Sequence, residues 1–164
     1  MEDIKFKVNN ESIEKEYDIY LANSLFSEAD RIFNLSLANK IRASGFVVFL
    51  PQEQNFNLLE EPTEYDVFIN DTEALQKSKI LIACIDQETI DCGVACEIGI
   101  AYKCNIPIIG LYTDIRRERK KSKMYKNLYV LGAIKSNGLI VHSIDEVVNY
   151  IRNYFQNTST SRKA

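Results

Sequence analysis

The sequence contains few residues of the types that bind metal ions. It has one histidine, His142, and four cysteines, and no two cysteines form a CxxC pair. Zinc sites are commonly built from Cys and His ligands at such short spacings. We therefore expect no metal site, and we expect His142 to be a surface residue at the end of a strand. The cysteines are expected to be reduced, small core residues: Cys84, Cys92, Cys96 and Cys104.

Long hydrophobic runs and an excess of positive charge are missing as well. No apolar run is long enough to cross a bilayer, and residues 1–18 lack the apolar core of a signal peptide. The net charge of -3 argues against binding to the phosphates of a nucleic-acid polymer. The basic stretch 116–126 also contains Glu118, and we interpret it as a solvated, mobile loop. These features predict a cytoplasmic protein whose partners include no membrane and no nucleic-acid polymer.

The apolar residues that are present form short runs separated by longer helical patterns. A chain of 164 residues that is 46% hydrophobic and 26% charged fits one globular domain. Nearly continuous apolar runs predict strands over 17–23, 46–51, 79–86, 106–112 and 138–142. Helical patterns lie between them, near 27–43, 66–78, 91–104 and 144–155.

The alternation of strands and helices predicts the fold class. Continuous apolar strands suit a parallel sheet that helices cover on both faces. We predict an α/β protein with a single doubly wound domain of the flavodoxin-like or Rossmann-like type, around a five-stranded, mostly parallel sheet. This domain is expected over 17–156, with a polar N-terminal extension over 1–16 and a flexible tail over 157–164.

Polar side chains follow four of the five predicted strands at the edge where ligands bind to such sheets, beyond the carboxyl ends of the strands. Loops are polar in most proteins, so this crowding is as typical of ordinary loops as of a binding site. The residues concerned are Tyr20 and Asn23, then Gln52, Glu53 and Gln54, then Asp86 and Asp91, and finally Tyr112 and Asp114.

Glu97 is a stronger indication of function. It is the only charged residue in segment 93–102, and the residues three and four positions away from it are all apolar. A carboxylate on an apolar helix face is costly to bury, so it is either paired or retained for chemistry. A structural hydrogen bond with a backbone amide or with Tyr20 is the alternative, and we favour the functional interpretation.

A glutamate among tyrosine, amide and aspartate side chains suits one type of reaction. A carboxylate can attack an anomeric carbon and form a glycosyl ester, while a second carboxyl group protonates the departing group. Asp91, at the start of the same predicted helix, and Asp71, on the preceding helix, are the candidate partners.

Five segments resemble the successive motifs of the nucleoside 2-deoxyribosyltransferase family, in the same order and spacing. They are YLANSLF at 20–26, FLPQEQ at 49–54, NDTEAL at 70–75, DCGVACEIGIAY at 91–102 and KNLYV at 126–130. The resemblance extends over residues 17–155, and its D-x-G-x-x-x-E-x-G core is its most specific part. It implies an enzyme of nucleoside salvage that acts on 2′-deoxyribonucleosides and free nucleobases and needs no cofactor.

The resemblance also implies catalytic roles. Glu97 would attack C1′ of the deoxyribose and hold the sugar as a covalent intermediate, and the hydroxyl of Tyr20 would orient that carboxylate. Asp71 would contact the nucleobase or assist its protonation, and Asp91 would bind sugar hydroxyls. Both residues are acids, so these last two roles are also open to exchange.

Four further positions are implied to bind the substrate. Phe26 and Gln54 would line the base pocket, and Asn23 belongs to the same substrate-binding loop as Phe26. Asn127 would reach the sugar 5′-hydroxyl of a neighbouring subunit, which implies a functional homo-oligomer, either a dimer or a hexamer of dimers.

Three functions remain in competition. The first is transfer of 2-deoxyribose between bases with retention of configuration. The second is hydrolysis of a deoxyribonucleoside or its 5′-monophosphate, although the loop NSLFSEADR at 23–31 offers a phosphate only Arg31. The third is a non-catalytic nucleotide-binding module, which would not need Glu97 on an apolar stripe. The choice between purine and pyrimidine bases stays open.

Overall fold

The sheet of the protein is parallel throughout and lies between two layers of helices. A computed structural model describes residues 13–54, 62–116 and 126–161. The strands are β1 (Tyr17–Ala22), β2 (Val48–Phe49), β3 (Ser78–Cys84), β4 (Ile108–Leu111) and β5 (Gly138–Val141). The helices are α1 (Glu28–Arg42), α2 (Glu64–Gln76), α3 (Cys92–Lys103), α4 (Leu128–Ser136) and α5 (Ile144–Ser161), and a short 3₁₀ helix spans Pro51–Glu53.

The strand order is β2-β1-β3-β4-β5, and each neighbouring pair is parallel. The predicted doubly wound α/β fold with five strands is therefore confirmed. The chain moves to opposite sides of β1 when it forms β2 and β3, so the order reverses there. In folds of this type, that reversal opens a crevice beyond the carboxyl ends of the strands.

Each face of the sheet buries its own hydrophobic core. On one face, α1 and α5 pack through residues such as Leu37, Ile41 and Ile151. On the other face, α2, α3 and α4 pack through residues such as Leu75 and Ile98. Burial on both faces explains why the strand sequences are almost continuously apolar.

Capping determines where two of the helices begin. At α1, Ser27 accepts a hydrogen bond from the backbone of Asp30, whose carboxylate accepts one from the backbone of Ser27. The same reciprocal arrangement joins Thr63 and Asp66 at α2. The predicted helix over 66–78 is therefore wrong at both ends, because Asp66 is the third helical residue and Ser78 already belongs to β3.

Other predicted boundaries are also wrong. Only Val48 and Phe49 of the predicted strand 46–51 pair with β1, and Pro51 starts the 3₁₀ helix. α5 continues to Ser161, beyond the predicted end at residue 155 and through part of the tail predicted over 157–164. Helix α4 is absent from the predicted elements. Of the predicted extension 1–16, residues 1–12 lie outside the described residues, and 13–16 are exposed.

The cysteines and the basic stretch differ from the predictions in burial. All four cysteines are free and Cys84 is buried, but Cys92, Cys96 and Cys104 are exposed, so they are not core residues. Lys126 is 6% exposed, which contradicts a solvated loop at that end of segment 116–126. Residues 117–125 of the segment lie outside the described residues. His142 is exposed directly after β5, as predicted.

In the ranges 13–54, 62–116 and 126–161, no helix is long and apolar enough to cross a membrane.

Candidate active site

Tyr20 lies on the strand at which the order of the sheet reverses. It occupies β1, next to Leu81 of β3, and its side chain is fully buried. The ring stacks on Phe49 of β2, with the ring centroids 5.2 Å apart and 18° between the planes. Packing between three strands and the helices therefore fixes the direction in which the phenol hydroxyl points.

The phenol hydroxyl of Tyr20 donates a hydrogen bond to Oε1 of Glu97 over 2.5 Å. This length is typical of a hydroxyl that donates to a charged carboxylate. Glu97 lies on α3, one residue before the fully buried Ile98, so α3 delivers the carboxylate to the end of the sheet. The structure thus contains the contact between Glu97 and Tyr20 that the sequence suggested.

Burial raises the pKa of Glu97 to about 7. The hydrogen bond from Tyr20 opposes this shift, and the negative charges of Asp71 and Asp91 add to it. Those two charges act on Glu97 because α2 and the start of α3 bring three acidic groups to one place. A carboxyl group with a perturbed pKa among like charges is typical of catalytic sites.

The two aspartates are held differently. Asp71 lies on α2 and burial raises its pKa, while a 3.0 Å hydrogen bond from Nδ2 of Asn70 opposes the shift. Asp91 is the N-cap of α3, and its Oδ1 accepts hydrogen bonds from the backbone of Gly93 and Val94. A Cβ atom on Gly93 would lie 3.1 Å from that oxygen, so glycine leaves room for the capping carboxylate. The cap uses Oδ1 of Asp91 and leaves Oδ2 for other partners.

The loop after β1 carries Asn23 and Phe26. The Phe26 ring is 77% exposed, so it presents an apolar face at the carboxyl edge of the sheet. Asn23 is engaged within the protein, because its Nδ2 donates to Asn34 and its Oδ1 accepts from Gln87. Of the two, Phe26 is the one whose side chain is open to a ligand.

Gln54 and Asn127 make hydrogen bonds within their own segments of the chain. Gln54 follows the end of the 3₁₀ helix, and its Nε2 donates over 3.4 Å to the carbonyl of Leu50 at the start of that helix. Asn127 is the N-cap of α4, where its Oδ1 accepts from the backbone of Tyr129 and Val130. No hydrogen bond links either residue with Glu97 in the part of the chain that the structure describes.

Three residues with polar roles near the site were not predicted. Lys126 donates to the carbonyl oxygens of Asp86 and Gln87 and lies 5.1 Å from the centre of the Tyr112 ring. Gln87 and Asn34 bond to Asn23. The sequence pattern could have indicated Asn34, because it lies on the same stripe of α1 as buried apolar residues. Glu97 was singled out on α3 by the same kind of pattern.

No group of three or more His, Cys, Asp or Glu side chains is arranged to hold a metal ion within the described ranges.

Comparison with known proteins identifies a family for this chain. A family model described as nucleoside 2-deoxyribosyltransferase matches residues 19–151. A conserved protein from Enterococcus faecalis V583 is 34% identical, with a TM-score of 0.73, over 83% of this chain and 97% of that chain. No curated protein matches the chain significantly.

Two solved structures with lower identity share the fold. A 2-deoxyribosyltransferase from Bacillus psychrosaccharolyticus is 24% identical, with a TM-score of 0.64, over 80% of this chain and 90% of that chain. A 2-desoxiribosyltransferase from Leishmania mexicana is 17% identical, with a TM-score of 0.62, over 80% of this chain and 94% of that chain. Because the family model covers most of the chain, the chain belongs to the nucleoside 2-deoxyribosyltransferase family.

Proposed function

We propose that the protein transfers 2-deoxyribose between nucleobases by a retaining double displacement, with Glu97 as the covalent nucleophile. The observation that carries the proposal is the 2.5 Å hydrogen bond from Tyr20 to a glutamate that α3 presents on an otherwise apolar face. Family membership supports a deoxyribosyltransferase-type enzyme whose substrates are nucleosides and nucleobases. We assign the reaction to cytoplasmic nucleoside salvage, without a cofactor.

In the first step, a carboxylate oxygen of Glu97 forms a bond to C1′ while the bond from C1′ to the base nitrogen breaks. The electron pair of the broken bond goes to the base, which takes a proton from the carboxyl group of Asp71. The raised pKa of Asp71 suits this role, because it keeps a proton on the group at higher pH. The sugar is then held as an ester of Glu97.

In the second step, a nitrogen of an incoming base attacks C1′ and the ester bond breaks, which restores the carboxylate of Glu97. The incoming base returns its proton to Asp71. Two inversions at C1′ give net retention of configuration. If water attacks the ester instead, the same site hydrolyses the nucleoside.

Tyr20 serves as the group that orients the nucleophile. Burial, together with the negative charges of Glu97 and Asp71, raises the pKa of its phenol well above the usual range. The hydroxyl therefore stays protonated and donates a hydrogen bond to Glu97. A fixed donor on one carboxylate oxygen directs the other oxygen toward the sugar. Asp91 binds sugar hydroxyls through the oxygen that the helix cap leaves unused.

The base and the 5′-hydroxyl are held by residues outside this acidic group. The exposed ring of Phe26 stacks on the base, and Gln54 contributes hydrogen bonds at its edge. Asn127 acts on the site of a neighbouring subunit in a homo-oligomer. Its Oδ1 is used by the helix cap, so its Nδ2 is the group that donates to the 5′-hydroxyl.

Hydrolysis of a 5′-monophosphate has less support. A phosphate near the loop after β1 would need Arg31, the basic residue of that loop. Arg31 instead donates from Nη1 to the carbonyl oxygens of Leu25 and Phe26. The guanidinium is thus oriented toward the protein backbone, which favours an unphosphorylated nucleoside as the substrate.

The decisive experiment is incubation with thymidine and free adenine, followed by separation of the products. We expect deoxyadenosine to form, and we expect the Glu97→Ala variant to form none while it keeps its far-UV circular dichroism spectrum. Free thymine and deoxyribose without deoxyadenosine would identify a hydrolase. Base exchange at the wild-type rate in Glu97→Ala would rule out this nucleophile, and no reaction in wild type would favour a non-catalytic binding module.

A further inference from the structure

Side chains of α1 hold the loop that carries Phe26. Nδ2 of Asn34 donates to the carbonyl of Ser24 over 3.0 Å, and Nη1 of Arg31 donates to the carbonyls of Leu25 and Phe26 over 3.2 and 3.0 Å. Three consecutive carbonyl groups are therefore bound by one helix. Such a loop has little freedom, although the Phe26 ring itself is exposed.

Asn34 is the centre of a chain of amide side chains, which we call the amide relay and define as Gln87, Asn23, Asn34 and Gln52. Gln87 donates to Asn23 over 2.9 Å, Asn23 donates to Asn34 over 2.7 Å, and Asn34 donates to Gln52 over 2.9 Å. The relay joins the loops after β1 and β3 to the 3₁₀ helix that follows β2. Asn34 is 1% exposed, and burial of such a polar group is tolerated because its hydrogen bonds are made.

Backbone groups fix the direction of the amide relay. The carbonyl of Ser24 only accepts, so the side chain of Asn34 must turn its nitrogen toward it. At the other end, Nε2 of Gln52 donates to the carbonyl of Arg31, which leaves its oxygen for Asn34. Asn34 therefore offers only its oxygen to Asn23. Replacing a donor by an acceptor at any member of the amide relay would remove a hydrogen bond of the relay.

The hydrogen bond between Gln87 and Asn23, at the other end of the amide relay, has the same direction. Oδ1 of Asn23 requires a donor, so Gln87 must present Nε2 to it. Oε1 of Gln87 is then left buried without a hydrogen bond within the described residues. An unsatisfied buried acceptor costs free energy, and Gln87 keeps this orientation because the rest of the relay demands it.

We propose that Asn34 is a positioning residue that sets the affinity for the nucleobase, by holding the loop after β1 so that Phe26 is presented to the base. This inference rests on the proposed function. Asn23, which the sequence suggested as a substrate-binding residue, acts within the amide relay instead. Asn34 lies on the face of the sheet opposite α3, so it affects the base-binding loop and leaves Glu97 and Tyr20 unchanged.

The test uses the Asn34→Asp variant, which keeps the shape of the side chain and removes both donations. Its new oxygen faces the carbonyl of Ser24 and the oxygen of Gln52. We expect the KM for free adenine in the exchange reaction to rise about tenfold or more, while kcat changes less than about threefold. The matched control is Asn39→Asp, which introduces the same charge at an exposed position of α1. An unchanged KM, or a fall in kcat as large as the rise in KM, would overturn the proposal.

A second readout does not depend on activity. Hydrogen–deuterium exchange of the amides in 23–27 is expected to be faster in Asn34→Asp than in Asn39→Asp, with the rate in β3 unchanged. If wild type exchanges no bases, the proposed function fails, and the hydrogen-exchange result alone decides whether Asn34 holds the loop. If Asn34→Asp does not fold, Arg31→Met removes two loop contacts from an exposed residue and must show the same faster exchange. Protection equal to wild type in these variants would contradict the role of α1.

Discussion

The carboxyl group of Glu97 can attack a carbon atom only when it is ionised, and burial opposes its ionisation. With a pKa of about 7, the group carries a proton in most molecules at pH 6 and has lost it in most molecules at pH 8. We therefore expect kcat/KM for thymidine to rise with pH as Glu97 ionises and to fall again at higher pH as Asp71 loses the proton that it gives to the base, because this ratio reports both ionisations in the free enzyme. Measurement between pH 5.5 and pH 8.5, roughly, covers the transition.

The same pH profile tests the role of Tyr20. Its hydrogen bond lowers the pKa of Glu97, so Tyr20→Phe is expected to move the rise in kcat/KM to higher pH and to reduce the maximum. Tyr17→Phe is the matched control, since Tyr17 lies on the same strand and packs against the same Phe49 ring. A profile that moves equally in both variants would show that the hydrogen bond to Glu97 is not the cause.

Glu97 should also reduce the stability of the folded protein. Its pKa is about 7 in the folded protein and near the model value of 4.5 in the unfolded chain. Unfolding therefore releases a proton between these values, and the contribution of Glu97 to stability falls as pH rises through this window. We expect Glu97→Gln to be more stable than wild type above pH 7 by up to roughly 3 to 4 kcal/mol, because the two pKa values differ by about 2.5 and each unit of difference contributes about 1.4 kcal/mol.

Urea unfolding at several pH values measures this difference. The gap between Glu97→Gln and wild type should widen from about pH 4.5 to about pH 7, the window set by the two pKa values, and stay constant above it. Glu73→Gln is the matched control, because it removes a carboxylate from an exposed position of α2. A gap that does not depend on pH would mean that Glu97 ionises alike in the folded and unfolded states.

The start of α3 combines a structural role and a proposed catalytic role in one residue, Asp91. Oδ1 of Asp91 caps the helix, and the proposed sugar contact uses Oδ2. Asp91→Asn keeps an oxygen acceptor for the cap, so we expect its stability to stay within about 0.5 kcal/mol of wild type while its kcat/KM falls. Asp91→Ala loses both roles and should also lose about 1 kcal/mol of stability.

Urea unfolding and thymidine kinetics on both Asp91 variants separate the two roles. Ser143→Ala provides the comparison for a cap that lies outside the acidic group and the base-binding loop, since Oγ of Ser143 accepts a hydrogen bond from the backbone of Glu146 in the first turn of α5. This cap variant should lose stability and keep the wild-type kcat/KM, whereas Asp91→Asn should keep its stability and lose kcat/KM. Full activity in Asp91→Asn would restrict Asp91 to the helix cap.

The elements that the sequence predicted well are those whose signals are local. Strands β1 and β3 have continuous apolar runs because both of their faces are covered, and α1 and α3 have a capping residue directly before an apolar stripe. Glu97 was identified by the same reasoning, because a charge on an apolar stripe is visible in sequence. Its contact with Tyr20 joins residues 77 positions apart. The apolar pattern alone offered this contact as an alternative, and the family resemblance implied it.

The features that the sequence did not predict depend on contacts that cannot be read from the spacing of apolar residues. Helix α4 is short and almost uniformly apolar, so it lacks the polar face that marks a helix. Strand β2 pairs through two residues because the chain turns into a 3₁₀ helix at Pro51. The amide relay joins four segments of the chain, and the direction of its hydrogen bonds is set by backbone carbonyls that only the folded chain brings together.

The proposed site is complete only if two copies of the chain meet. Asn127 precedes Leu128 and Tyr129 at the start of α4, and the Tyr129 ring is 89% exposed. Exposed apolar side chains beside a helix-capping residue fit a surface that another subunit covers. In that arrangement each site takes Glu97 from one subunit and Asn127 from its neighbour.

This division of the site predicts complementation between inactive subunits. Glu97→Ala alone should be inactive, and Asn127→Ala alone should be strongly impaired. If the two variants are co-expressed and mix at random, one site in four, about 25%, combines an intact Glu97 with an intact Asn127, so activity per site should recover to about a quarter of wild type. Copurification through two different affinity tags then isolates the mixed oligomers; a mixed dimer has one intact site of two, so its activity per site should be about half that of wild type.

The control co-expresses Glu97→Ala with a double variant that carries both substitutions. These mixtures contain no intact Glu97, so they should stay inactive whatever the assembly. If Asn127 served the site of its own subunit, the mixture of single variants would gain nothing, because no subunit carries both groups. Recovery in the first mixture without recovery in the second therefore depends on a site shared between subunits, and an active monomer on gel filtration would contradict it.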